Sequence, residues 1–110
     1  MSDELIIFVT APNEDEARKI ADALVNDQLA ACVNIINGVE SIYRWQGKVE
    51  RDRELLLIIK SSASRYADLE HRVTELHSYT TPEVIAFKID RGSEGYLNWI
   101  RDSITPQKRD

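Results

Sequence analysis

Only one cysteine, Cys32, occurs in the 110 residues, so no disulfide can close within a chain. Glycine and proline are scarce, at four and three residues, which excludes a linker-rich or low-complexity chain. Long apolar runs are absent. The best, such as Leu5 to Val9, fall far short of the ~20 residues that a membrane helix takes. The start, Met1-Ser2-Asp3-Glu4, has neither the basic stretch nor the small-residue cleavage site of an export signal, which predicts a cytoplasmic location with no membrane partner. Positive charge is in deficit. Fourteen Lys and Arg face nineteen Asp and Glu, a net charge of −5, and nucleic-acid binding needs clustered cations instead. Acidity of this degree is ordinary for solubility and is no evidence for a metal. No glycine-rich phosphate loop appears, and no Ser-His-Asp or Cys-His set places a nucleophile beside a base. The pattern therefore predicts no enzyme and calls for no cofactor.

What is present is one domain's worth of regular pattern, residues 1–110. Leu5 to Thr10 is a short apolar run that reads as a buried strand. Asn13, with Glu16 three residues on, caps a helix running to about Leu29, with Ala17, Ile20, Ala21 and Leu24 on one stripe. Residues 31–60 read as a long hairpin. A bulge fits at Asn37-Gly38 and a tight turn at Gln46-Gly47. Ser62 or Ser64 caps a second helix whose stripe is Tyr66, Leu69, Val73 and Leu76, ended by Ser78-Tyr79-Thr80-Thr81-Pro82. Glu83 to Asp90 is a fourth strand. Ser93 caps a last helix with Tyr96, Leu97, Ile100 and Ile104, and a tail, 105–110, is expected to fray.

The order β-α-β-β-α-β plus a terminal helix is the α+β, ferredoxin-like split βαβ arrangement, an antiparallel-mixed four-stranded sheet with a long projecting hairpin. The first and third strands are expected at its centre, parallel, with both main helices on one face. The other face ought to alternate with polar residues, yet Leu5 to Val9, Leu55 to Ile59 and Val84 to Phe87 are apolar throughout. A monomer would expose a large apolar patch, so a second copy is expected to cover it. The hairpin arms agree. At ~3.3 Å per residue they reach roughly 45 Å, and a domain this size has a radius of only ~13 Å. Ile42, Tyr43 and Trp45 near the tip are expected to lie on a neighbour, together with Leu57 and Ile58. The pattern leaves open which of these last two faces the bare side.

The segments Ala30-Ala31-Cys32-Val33-Asn34-Ile35, Ser41-Ile42-Tyr43-Arg44-Trp45-Gln46-Gly47, Glu54 to Lys60, Thr10-Ala11-Pro12, Tyr79-Thr80-Thr81-Pro82-Glu83 and Tyr96-Leu97-Asn98-Trp99-Ile100, in this order along the whole chain apart from the early Thr10 segment, resemble the CutA divalent-cation tolerance family. The resemblance implies a ferredoxin-like subunit in a tight homotrimer, similar to PII signal-transduction proteins that bind small ligands between subunits. It implies a part in tolerance of copper and other divalent metals, and no catalytic reaction. Some copper-binding relatives carry a cysteine before the Thr-Ala-Pro segment and paired histidines before a Pro-Tyr segment. Here Val9 holds the first position, Leu76-His77 the pair and Ser78 the proline, so His77 alone remains.

Weak metal ligation, with copper the candidate, therefore falls to His77 and Cys32. His71 lies six residues from His77, which is not the i,i+4 spacing of a helical two-His site. Cys32 lies in an apolar strand, where cysteine is usually a small buried hydrophobe. A second constellation follows from the parallel central strands. They would bring Lys60, Tyr79 and Glu83 to one sheet end, roofed by Trp45 of a neighbour. Lys60 and Glu83 would form either a plain strand-end ion pair or a small cleft for an anionic ligand or a metal. Three functions follow: a metal-tolerance protein with weak metal binding, a PII-like small-ligand sensor, and a scaffold that docks a protein partner.

Overall fold

Local signals set the element boundaries in the computed structural model, which describes residues 3–106. Strand β1 (Glu4–Ala11) runs into Asn13, whose side chain accepts the Glu16 N–H at 2.8 Å and starts α1 (Glu14–Asn26). Three acidic residues in its first turn suit the positive end of the helix dipole. The helix stops before the expected Leu29 because Gln28 turns left-handed, at φ 57°. Strand β2 (Cys32–Trp45) slips register between Ile36 and Val39, where Gly38 at φ 77° supplies the expected bulge. Gln46 and Gly47, both at positive φ, turn the chain tightly into β3 (Lys48–Ser62). Helix α2 (Ala63–Leu76) follows without a break. Ser62 stands at its cap, but its hydroxyl bonds that of Ser64 rather than the backbone. Strand β4 (Val84–Lys88) and α3 (Glu94–Ile104) complete the order, with the Ser93 hydroxyl accepting the Tyr96 N–H. Of the tail expected to fray, Thr105 bonds back to Arg101 through its hydroxyl; residues 107–110 lie outside the described residues.

The sheet order is β2-β3-β1-β4, the split βαβ arrangement, and all three ladders are antiparallel. One expectation fails here: β1 and β3 run antiparallel, not parallel. The crossover through α1 makes β1 and β2 parallel, and the hairpin then reverses β3 between them. Lys60 accordingly pairs with Ile6 and Cys32, while Thr10 pairs with Leu56. Lys60 and Thr10 lie toward opposite ends of the sheet.

Period two sorts the strands into faces. Ile7, Val9, Leu57 and Ile59 are fully buried under α1 and α2, against Ile20, Leu24, Leu69 and Val73. Leu57 is therefore core of its own subunit and cannot be the interface residue expected of it. Ile58 faces the other side, level with Phe8, and the register puts Ile6, Leu56, Ile85 and Phe87 on that face too. Ile85 and Phe87 are 47% and 50% exposed, and Phe87 stacks edge-on with Phe8 at 5.1 Å. The apolar second face is real and partly uncovered in the single chain: Ile6, Phe8, Leu56 and Ile58 are half-buried, and Ile85 and Phe87 are exposed. The ribbon beyond the bulge projects, and the principal extents are 51 × 32 × 22 Å.

Candidate functional site

The end of α2 is tied to β1 by one histidine. The His77 backbone N–H closes the helix on the Val73 carbonyl, and its ring is buried. Nε2 lies 2.7 Å from the Thr10 carbonyl and must donate to it; Nδ1 accepts the Tyr79 N–H at 3.0 Å. The Glu16 carboxylate is also near Nδ1, at 3.3 Å, but it already accepts the N–H and the hydroxyl of Ser78. Since the Tyr79 amide can only donate, the ring is the neutral Nε2–H tautomer. Both nitrogens serve the backbone, and the one ligating lone pair, on Nδ1, is taken by the Tyr79 amide rather than open to a metal. Cys32 does not join it. It pairs with Lys60 toward the other end of the sheet, where both side chains meet Asn34 Oδ1. Among the described residues no group of three or more His, Cys, Asp or Glu is placed to hold a metal ion. His71 is exposed and pairs with Glu75 at 3.8 Å.

His77 and Thr10 instead position a cleft. The α2–β4 loop leaves His77 at the Thr10 end of β1, opposite the base of the ribbon, and between them opens a space of about 830 Å³. Tyr79 and Glu83 line it, and the chain's own Trp45 does so where a neighbour's was expected; Lys60 does not. Lys60 and Glu83 therefore form neither an ion pair nor a shared pocket. Ile42, Tyr43, Glu40 and Glu54 complete the walls with Ser78, Thr80 and Thr81. No lysine or arginine is among the lining residues, which carry three carboxylates.

One of these carboxylates, Glu54, and a further acidic group outside the lining, Asp52, hold the aromatic walls. The Tyr79 hydroxyl donates to Glu54 Oε2 at 2.9 Å, and the Tyr43 hydroxyl donates to Asp52 across the ribbon. Glu54 is buried, the last charge before the apolar run of β3. Sequence pattern alone reads Glu50 to Glu54 as a solvated or interfacial ion-pair ladder. Its alternation was the available signal, because it places Asp52 and Glu54 on the same ribbon face as Tyr43. The bond to Asp52, foremost, pushes the Tyr43 hydroxyl up to about 12; partial desolvation pushes that of Tyr79 up as well, aided by its bond to Glu54. The Tyr43 contribution to stability is fully present below its ordinary value of 10.0 and is lost as pH rises through about 12. Replacing Asp52 by Asn is expected to bring Tyr43 back toward its ordinary titration, read from the tyrosinate absorbance; an unchanged titration would show that the bond does not form. Ile42, Tyr43 and Trp45 remain exposed along the ribbon, at 54%, 40% and 53%.

The family model described as "CutA1 divalent ion tolerance protein" matches residues 5–103. A divalent-cation tolerance protein CutA of Thermus thermophilus is 49% identical over 100 residues, covering 91% of this chain and 97% of that one. The chloroplastic protein CutA of Arabidopsis thaliana is 46% identical over 99 residues, covering 90% of this chain and 54% of its own length. The crystal structure of CutA from Xylella fastidiosa superposes with a TM-score of 0.92 at 41% identity, covering 94% of this chain and 100% of that one.

Proposed function

The chain belongs to the CutA1 divalent ion tolerance protein family, and on that premise we propose that it acts in divalent-cation tolerance as a cytoplasmic homotrimer that responds to a small ligand in the ribbon cleft and catalyses no reaction. The observation that carries this reading is the cleft itself, walled by a projecting ribbon and set beside an apolar sheet face that one chain leaves uncovered. Covering that face with further copies would also give the ribbon something to lie on, as a lone two-stranded ribbon is marginal in water. No helix among the described residues is long and apolar enough to cross a membrane. The family name speaks of tolerance to divalent ions, and tight capture of copper within one chain finds no support in His77 or Cys32.

Calorimetric titration of the intact protein with copper and with zinc tests this. Binding is expected to be weak, copper leading by the ordinary order of divalent affinities, and equal in wild type, Cys32→Ala and His77→Gln. A tight stoichiometric copper site lost in the His77 variant would replace ligand response by direct metal capture.

A further inference from the structure

We infer that the cleft takes a small organic cation, an amine with an apolar body, rather than an anion or a bare metal ion. This rests on the cleft being the ligand site proposed above. Its lining includes three aromatic residues, Trp45, Tyr43 and Tyr79, and three carboxylates, Glu40, Glu54 and Glu83, with no basic side chain among the lining residues. Aromatic faces carry negative charge and attract a cation held against them, and a carboxylate supplies acceptors for its N–H groups. An anion would find hydroxyls but no cation to offset the three carboxylates, since Lys60 lies toward the far end of the sheet. A bare metal ion is served poorly: the described residues offer no group of three or more ligating side chains, and Glu54 already accepts the Tyr79 hydroxyl. The volume, about 830 Å³, is that of a small-molecule site and far beyond what an ion fills. Tyr43 and Tyr79 are held in place by their bonds to Asp52 and Glu54, so two of the aromatic walls stand before a ligand arrives.

The test uses the full chain with Trp99 on α3 replaced by Phe, so that fluorescence reports Trp45 alone. Diaminobutane is titrated beside butanediol, its neutral analogue, and succinate, the dianion. The amine is expected to give a saturable change and the other two none. Glu83→Gln is expected to weaken the amine roughly tenfold. Succinate binding as well as the amine, no saturable amine binding, or amine binding untouched by Glu83→Gln would each overturn the inference. Sedimentation of the same samples separates it from the reading it rests on. A trimer that ignores the amine removes the ligand class and leaves the assembly. Amine binding by a monomer supports the ligand class and removes the assembly.

Discussion

Ile58→Asp is expected to take the assembly apart while leaving the subunit folded. Ile58 is half-buried in the single chain, on the sheet face away from α1 and α2, level with Phe8 on one side and Asn34 on the other. In an isolated subunit an aspartate there would reach water and disturb no core contact. In an oligomer closed over that face it would be an unpaired charge taken out of water, at a cost of about several kcal/mol. The variant should sediment as a monomer with the far-ultraviolet circular dichroism of the wild type. A fully assembled variant with unchanged melting would show that the apolar face is not the interface. Leu57, one residue earlier, provides the contrast. It is fully buried in the helix-side core, so Leu57→Ala should cost ~2–5 kcal/mol of subunit stability and leave the association surface intact.

The second large effect is expected at His77. Its ring accepts one backbone N–H and donates to one backbone carbonyl, and it lies 4.6 Å from the ring of Tyr79. Alanine would leave the Thr10 carbonyl and the Tyr79 amide without these partners and would open a void beneath the loop. At ~1–3 kcal/mol for each of the two stranded polar groups, the loss should be roughly 2–6 kcal/mol. Melting should fall by on the order of 10 °C. The cleft should loosen too, because the same ring sets the path of the chain into Tyr79. His71→Ala is the control. That side chain is 77% exposed and pairs with Glu75 at the surface, so its loss should lie within about 0.5 kcal/mol. Equal melting of the two variants would mean that His77 does not tie α2 to β1.

Much of this architecture is legible where its cause is local. Asn13 and Ser93 cap their helices as read, and Gly38 and Gln46-Gly47 take up positive φ where the bulge and turn were expected. Alternation is local too, and so the two-sided apolar character of β1, β3 and β4 is visible before any coordinates. It does not by itself say which parity faces the helices, which is why Leu57 and Ile58 are interchangeable in the sequence. Strand direction is a property of the whole chain path. Reading β1 and β3 as parallel moved Lys60 to the wrong end and, with it, turned an acidic cleft into one suited to anions. Tyr79 and Glu83 still meet at the cleft because the α2–β4 loop sets their places, while the chain's own Trp45 stands where a neighbour's was expected. The role of Glu54 and Asp52 was hidden because a run of alternating charges looks solvated. Glu54 meets its tyrosine 25 residues away, and only the folded sheet brings the two together. The same holds for His77, whose partner at Thr10 is 67 residues distant.

Sedimentation equilibrium of the wild-type protein at micromolar concentration tests the central claim most directly, that further copies of the chain cover the apolar sheet face and support the ribbon that walls the cleft. A single species with the mass of three chains, unchanged on dilution, is the predicted result. A species with the mass of one chain would contradict it, since the face of Ile58, Phe8 and Phe87 would then stand open to water.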